Sequence, residues 1–169
     1  ARLGANEQSR NGRRIELVSL VEHCLNRYKK QIQAKDLQVQ LDIQSTEGEV
    51  PTYYAELIID NIVQNAVKYS AQGGVLAIQS GMAEGRPFCV IRDSGIGMTQ
   101  ADLAHVFNNF FRSEQVQHLQ ISGTGLGLSI ARKAADAIEA VIEVESRLDE
   151  WTQFRITFGE SLPTPAASG

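Results

Sequence analysis

A glycine-rich stretch, GTGLGLS at residues 123–129, places three glycines at alternate positions and leads directly into a helical pattern. Glycine costs conformational entropy but lets a ligand approach the backbone closely. At the start of a helix, free backbone N–H groups and the helix dipole favour an anion such as a phosphate. Leu128 excludes two common phosphate motifs, because it stands where a dinucleotide fingerprint needs its third glycine and where a Walker A loop needs its lysine. Two interpretations stay open, a phosphate-binding loop and a turn that only caps a helix.

The composition is that of a soluble globular domain. The chain has 169 residues, of which 43% are hydrophobic and 21% charged, and its formal net charge is −4. This acidic balance argues against a nucleic-acid partner, which usually requires a basic face. No run of eighteen apolar residues is present, so we expect no direct membrane contact by this domain. Cys24 and Cys89 are too few for a disulfide framework, and their apolar surroundings predict buried free thiols in a reducing compartment such as the cytoplasm.

Three segments are expected along the chain. Residues 1–13 are polar and predict a flexible lead-in from a missing preceding domain. Residues 14–159 form one domain, and residues 160–169, rich in Pro, Ala and Ser, form a disordered tail. The chain begins without Met, which we interpret as a piece of a longer protein.

Strand and helix patterns alternate through the domain. Helical spacing predicts a first helix whose apolar face carries Leu20, Val21, Cys24, Leu25, Tyr28 and Ile32, after a short strand at 14–18. Leu37, Val39, Leu41 and Ile43 alternate with polar residues, as in a half-buried strand. The remaining expected elements are a helix at 53–69, strands at 74–82 and 86–93, a short helix at 99–107 capped by Thr99, a helix after the glycines, and strands at 140–146 and 151–158. This order predicts an α/β (α+β) sandwich, with a mixed sheet and three long helices on one face.

The helix at 53–69 carries the first chemically suggestive group. Asn61, Asn65 and Lys68 are spaced i, i+4 and i+7, so they share a helical face that is offset from the apolar one. These residues can simply be a solvated surface. Two asparagines inside a helix are nevertheless poor choices on propensity, which favours a role in a cleft. An amide oxygen suits Mg²⁺, and the lysine one turn further can reach phosphate oxygens.

A second group follows an apolar strand in RDSGIGM, residues 92–98. Asp93 enters a turn that contains Gly95 and Gly97, and Asp-Ser-Gly is a frequent turn former. The alternative is a hydrogen-bond acceptor at the mouth of a pocket, where it would accept from an exocyclic amine such as that of adenine.

A third group is VFNNFFR, residues 106–112. Its phenylalanines, Phe107, Phe110 and Phe111, have the spacing of core residues and predict packing. Arg112 is either an exposed charge or a phosphate contact.

The order of these segments resembles the catalytic and ATP-binding domain of sensor histidine kinases, within the superfamily shared with gyrase-type and Hsp90-type ATPases. The four segments are NIVQNAVKY at 61–69, DSGIGM at 93–98, FNNFFR at 107–112 and GTGLGL at 123–128, similar to that family's N, G1, F and G2 boxes. The resemblance covers residues 14 to 159 and implies a mostly antiparallel sheet in a Bergerat-type fold.

The resemblance also implies ATP and Mg²⁺ as ligands. Asn65 would hold Mg²⁺, Asn61 and Lys68 would face the phosphates, and Tyr69 would flank the nucleotide. Asp93 would accept from the adenine amino group beside Gly95 and Gly97, and Arg112 would lie near the terminal phosphate. The stretch Gly123, Thr124, Gly125, Leu126 and Gly127 would end a short lid at 113–122 and bring backbone N–H groups to the phosphates.

The implied reaction is phosphoryl transfer from ATP to a histidine, with Asn61, Lys68 and Arg112 as the catalytic residues. Hydrolysing members of the superfamily carry a Glu where this chain has Asn61, and a neutral amide cannot act as a general base. Asp60 is either an exposed acid or a group that polarises the incoming imidazole. His23, His105 and His118 do not lie in the context of a phosphoacceptor, so that histidine would belong to a separate dimerisation domain of the same parent protein. A downstream response regulator, a cytoplasmic location and a monomeric fragment complete the expectation.

Two other functions stay open. The short lid and two altered turns favour a regulatory module without catalysis: the segment 136–140 lacks a Gly-Gly turn, and residues 151–154 read Trp-Thr-Gln-Phe. A further departure from the family's pattern is that no aspartate precedes the N box in EVPTYYAE. A serine kinase of the anti-sigma-factor type would share the fold without the helical domain.

Overall fold

The computed structural model describes residues 13–44, 49–109, 111–113 and 127–159. In chain order its elements are β1 (Arg14–Glu16), α1 (Leu17–Arg27), α2 (Lys29–Ala34), β2 (Gln38–Ile43), β3 (Glu49–Pro51), α3 (Thr52–Tyr69), β4 (Val75–Ala83), β5 (Arg86–Asp93), α4 (Gln100–Leu103), α5 (Gly127–Ala137), β6 (Val141–Arg147) and β7 (Trp151–Thr157). The expected tail, almost all of the lead-in and nearly all of the lid lie outside the described residues, as do Phe110, His118 and the stretch 123–126.

One five-stranded sheet carries the domain, in the order β2-β4-β5-β7-β6. β2 and β4 are parallel, whereas the other neighbours are antiparallel. β1 and β3 form a separate antiparallel pair before α3. The expectation of a mixed, mostly antiparallel sheet is confirmed.

The core lies between the sheet and the three longer helices. On β4, β5 and β7, alternate side chains such as Leu76, Ile91 and Ile156 are almost fully buried. Ile58 and Ile62 of α3 are fully buried against them in the same apolar cluster, to which α1 and α5 also contribute. The predicted sandwich, with its long helices on one face, is therefore confirmed. Cys24 and Cys89 are buried free thiols, as expected.

The prediction of one continuous first helix is wrong. It divides at Tyr28, which has φ −102° and ψ 13° and separates α1 from α2. The Tyr28 hydroxyl donates to Asp60 on α3 at 2.9 Å, so the residue that continues the apolar pattern is also tied to another helix. The predicted apolar face is nevertheless buried on both sides of the break.

Two other predicted elements differ from those observed. The strand predicted to be half-buried, with Leu37, Val39, Leu41 and Ile43 on its apolar face, corresponds to β2. Val39 and Leu41 are nevertheless 38% and 51% exposed, because β2 is an edge strand paired only with β4. The short helix α4 ends at Leu103 rather than 107. Its predicted N-cap is confirmed, because the Thr99 hydroxyl accepts from the backbone N–H of Asp102 at 3.1 Å.

The segment 136–140, which lacks the expected glycines, still reverses the chain after α5. Glu139 takes the left-handed conformation with φ 57°, and the N–H of Ala140 donates to the carbonyl of Ala135 at 2.9 Å. A non-glycine residue therefore adopts the conformation in which glycine is usual. None of the described helices has the length and apolar character needed to cross a membrane.

Candidate active site

A cavity of about 290 Å³ opens beside α3, between the loop after β5 and the start of α5. Its lining residues are Asn61, Gln64, Asn65, Lys68, Tyr69, Asp93, Ile96, Gly97, Met98, Val106, Phe111, Arg112, Ser113, Gly127, Leu128 and Thr152. The volume is near the lower end of those that hold small ligands. Segments far apart in the sequence thus meet at one concave surface.

The polar face of α3 turns toward this cavity, as its spacing predicts. Asn61, Asn65 and Lys68 all line it. The side-chain N–H of Asn61 donates to the carbonyl of Leu57 at 2.6 Å, and the amide oxygen lies toward the start of α5. A Cβ added to Gly127 would lie 3.2 Å from that oxygen, so glycine lets the start of α5 come close to α3.

Asp93 places a carboxylate deep in the cavity at the end of β5. It is only 4% exposed, and its Oδ1 is buried without a hydrogen-bond partner among the described residues. Burial raises the pKa of Asp93 to about 7, and the positive charges of Lys35 and Arg92 oppose that increase. A buried acceptor of this kind is costly unless a donor completes it. It therefore fits a ligand with an N–H group, such as the adenine amino group.

The loop after Asp93 requires its two glycines for different reasons. A Cβ on Gly95 would lie 2.1 Å from the Tyr69 carbonyl oxygen and 2.7 Å from Asp93 Oδ1. Gly95 is not among the residues that line the cavity, and instead lets the loop pack against the end of α3. Gly97 does line the cavity, and it has a positive φ of +63°. A Cβ added to Gly97 would lie 2.0 Å from the carbonyl oxygen of Arg147. The β6–β7 turn therefore supports this wall.

Two cations also line the cavity. Lys68 and Arg112 both line it, and burial lowers the pKa of Lys68, with the charge of Arg112 adding to the effect. The Lys68 ammonium lies 5.5 Å from the centre of the Tyr69 ring. Two positive groups brought together in a partly buried site favour the binding of a multiply charged anion.

The phenylalanines of 106–112 do not share one role. Phe107 packs edge-on against Phe154 of the core, with ring centres 6.4 Å apart, as predicted. Phe111 instead lines the cavity, so the prediction that it is purely a packing residue is wrong. Phe110 lies outside the described residues. The apolar spacing of the motif does not distinguish a residue of the core from one on the adjoining cavity wall.

Asp60 is not among the residues that line the cavity, and its carboxylate is engaged by groups at the end of the first helix. Its carboxylate accepts from Arg27 at 2.7 Å and from the Tyr28 hydroxyl at 2.9 Å. Arg27 also bonds Glu56 at 2.7 Å. Asp60 therefore joins α3 to α1 on the side of the helix away from Asn65.

Several residues that line the cavity were not predicted from the sequence. Thr152 lines the cavity because β7 pairs with β5 in a register that places Thr152 directly opposite Asp93. Gln64 could have been found from the sequence, since it lies three residues after Asn61 on the same helical face. Ile96, Met98, Val106 and Leu128 supply apolar wall, which local spacing does not separate from core. Of the predicted glycine stretch, Gly127 lines the cavity, whereas Gly123, Thr124, Gly125 and Leu126 lie outside the described residues.

The chain is similar in sequence to a known family of ATPases and to proteins named as sensor histidine kinases. Residues 54–162 match the family described as histidine kinase-, DNA gyrase B-, and HSP90-like ATPase. The sensor histidine kinase YkoH of Bacillus subtilis is 30% identical over 126 residues, which are 75% of this chain and 27% of YkoH.

Two solved structures share the fold. The mycobacterial sensor histidine kinase MprB superposes with a TM-score of 0.75 at 21% identity, over 89% of this chain and 99% of that one. Full-length ShkA in complex with AMPPNP gives 0.74 at 19% identity, over 92% of this chain and 33% of that one.

This chain spans about a quarter of the length of YkoH and a third of the length of full-length ShkA. The family match covers more than half of it and includes all four segments on which the resemblance was based. The chain therefore belongs to the family of histidine kinase-, DNA gyrase B-, and HSP90-like ATPases, as an ATP-binding catalytic domain of the sensor histidine kinase type.

Proposed function

We propose that this domain binds ATP in the cavity beside α3 and transfers the γ-phosphoryl group to a histidine on a separate dimerisation domain of the same parent protein. The observation that carries the proposal is that one cavity holds the buried Asp93, whose Oδ1 has no hydrogen-bond partner among the described residues, and two cations, Lys68 and Arg112. ATP has an adenine amino group that can donate to Asp93 and a polyphosphate that can bind Lys68 and Arg112. The complex of ShkA with AMPPNP supports the same ligand class.

Adenine would occupy the inner part of the cavity. The carboxylate of Asp93 accepts from the exocyclic amino group, and Ile96 and Met98 supply apolar wall for the ring. A guanine base presents a carbonyl oxygen at the equivalent position, so that two acceptors would face each other when Asp93 is ionised. The site is therefore expected to select adenine, because guanine would leave the Asp93 carboxylate without a hydrogen-bond donor.

The phosphates would extend toward Lys68 and Arg112, with Tyr69 beside the nucleotide. Mg²⁺ is usually held by one or two protein oxygens and by substrate phosphates, and the side-chain oxygen of Asn65 suits that role. The ion would neutralise charge on the phosphates. Backbone N–H groups of residues 123–127 are proposed to complete the phosphate site, together with the side-chain amide of Asn61.

In the transfer step an imidazole nitrogen of the acceptor histidine forms a bond to the γ-phosphorus. The bond from that phosphorus to the bridging oxygen breaks, ADP leaves, and the imidazole loses its N–H proton to solvent. Neutral histidine is already a nucleophile, so positioning and charge neutralisation by Lys68 and Arg112 supply most of the catalysis. Asn61 is a neutral amide bonded to Leu57, and it cannot activate water as a base. Transfer is therefore favoured over hydrolysis.

The remaining parts of the proposal concern the parent protein. A response regulator would receive the phosphoryl group from the histidine. The domain would act on the cytoplasmic side and be monomeric without its dimerisation domain. Residues 14–159 are proposed as the folding unit, between a lead-in and a tail.

The test is phosphorylation of the full-length parent protein with γ-labelled ATP and Mg²⁺. The proposal predicts an acid-labile, base-stable phosphate that is lost in Asp93→Asn. A base-labile phosphoserine on a small partner protein would instead support the anti-sigma type of kinase. Nucleotide binding without transfer to any supplied histidine domain would support a regulatory module.

A further inference from the structure

Lys35 makes an unusual set of contacts for a residue in the turn between α2 and β2. Its ammonium group donates to three carbonyl oxygens at the end of α3: Val67 at 2.9 Å, Lys68 at 2.5 Å and Ser70 at 3.0 Å. A lysine ammonium has three protons, so its donor capacity is filled. The contact joins residues that are 32 to 35 positions apart in the sequence.

These bonds complete the C-terminal end of α3. The last four carbonyls of a helix lack partners within it. Here the Ala66 carbonyl accepts from the N–H and the hydroxyl of Ser70. The next two carbonyls, of Val67 and Lys68, accept from the Lys35 ammonium, and the Tyr69 carbonyl accepts from the N–H of Ile96 at 3.3 Å. A positive charge at this end also favours the helix dipole.

The same helix end is bound to the loop that follows Asp93. Ser70 forms a bridge with Gly95, and the N–H of Ala71 donates to the carbonyl of Ser94 at 3.0 Å. The backbone of Lys35 adds a second tie, because its carbonyl accepts from the N–H of Gly73 at 2.8 Å. Lys35 therefore holds the last turn of α3, from which Lys68 and Tyr69 enter the cavity, and this turn is in its own right bonded to the loop that begins at Asp93.

We propose that Lys35 is a positioning residue for the nucleotide site: it holds the last turn of α3 against the loop after β5, and its charge favours an ionised, accepting Asp93 carboxylate. The inference rests on the proposed binding of ATP. The attraction of Lys35 opposes the effect of burial on the pKa of Asp93, as does Arg92 on the same strand. Among the described residues, Thr152 lies opposite Asp93 in the sheet and carries a neutral hydroxyl, and Tyr69 lines the same cavity.

The test compares Lys35→Met, Lys35→Gln and Lys35→Arg with Lys30→Met, which removes a charge from an exposed lysine on α2. The dissociation constant of AMPPNP is measured by calorimetry from pH 6 to pH 9, and the titration midpoint of the Asp93 carboxyl by carbon NMR in the free protein. Circular dichroism and thermal unfolding establish which variants fold.

Lys35→Met is expected to weaken binding about tenfold at pH 7.5 and to move the Asp93 midpoint upward, so that its affinity recovers partly at pH 9. Lys35→Arg is expected to restore most of the affinity, and Lys30→Met to behave as the unmodified protein. If Lys35→Met does not fold, Lys35→Gln keeps a donor without the charge and gives the same comparison.

An unchanged Asp93 midpoint and unchanged affinity in the folded Lys35 variant would overturn the inference. In that case the ATP proposal would stand, because the unmodified protein would still bind. Failure of the unmodified protein to bind AMPPNP at any pH would instead reject the ATP proposal itself.

Discussion

Asp93 shows how one residue can serve a ligand at a cost to the free protein. Its carboxyl is nearly inaccessible and its Oδ1 lacks a hydrogen-bond partner within the part of the chain that the structure describes. Burial raises its pKa from 3.8 to about 7, so between these values the folded state retains a proton that the unfolded state has lost. The stability that Asp93 contributes therefore falls as pH rises from about 4 to 7, and stays low above pH 7.

Asp93→Asn is expected to stabilise the free domain at pH 8 by roughly 1–3 kcal/mol, because it removes the cost of a buried charge. The advantage should decrease as pH is lowered toward 5. Urea unfolding of both proteins at several pH values measures the difference, and Asp42→Asn, at an exposed position on β2, controls for net charge. Superimposable unfolding curves for Asp93→Asn and the unmodified protein at pH 8 would contradict this account.

At the scale of elements, the loop after β5 depends on its support by the β6–β7 turn. Gly97 and Gly85 both have positive φ, +63° and +77°. A Cβ on Gly97 would collide with the Arg147 carbonyl, whereas a Cβ on Gly85 would meet nothing within 4 Å. The two positions therefore separate the strain of the conformation from the effect of crowding.

Gly85→Ala is expected to cost about 1 kcal/mol of unfolding free energy, from the left-handed conformation alone. Gly97→Ala is expected to cost about 3 kcal/mol or more and to weaken nucleotide binding, because the cavity wall must move. Urea unfolding and titration with AMPPNP measure both effects. Equal losses in the two variants would show that the contact with the β6–β7 turn is unimportant.

The sequence was sufficient to predict features that depend on residues close together in the chain. The spacing of Asn61, Asn65 and Lys68 predicted a shared face, and that face lines the cavity. Contacts between distant segments were not predictable in this way. The break at Tyr28 accompanies a bond to Asp60, 32 residues away, and Thr152 enters the site through strand register. Exposure of Leu41 follows from its place on an edge strand, which alternation alone cannot reveal.

At the scale of the whole molecule, the two thiols report on global stability. Cys24 on α1 and Cys89 on β5 are both fully buried, and burial raises the pKa of each to about 12. Neither can react as a thiolate without exposure to solvent. A ligand that binds only the folded state lowers the population of open molecules by the factor 1 + [L]/Kd.

Thiol modification by a disulfide reagent is therefore expected to be slow in the folded protein and to slow further with AMPPNP, in proportion to that factor. Mass spectrometry of each cysteine over time measures the rates, with protein in urea as the reference for full exposure. Rapid labelling of either thiol in the folded protein, or rates indifferent to saturating nucleotide, would contradict the proposed core or the proposed ligand.

The most direct test of the central claim is calorimetric titration of the domain with AMPPNP and with its guanine counterpart, with and without Mg²⁺. The account predicts saturable one-to-one binding of AMPPNP, strengthened by Mg²⁺ and weakened at least about 30-fold both by the guanine base and by Asp93→Asn. Asp42→Asn should bind as the unmodified protein does. Equal affinity for the adenine and guanine nucleotides, or unchanged affinity in Asp93→Asn, would show that the buried carboxylate does not recognise adenine.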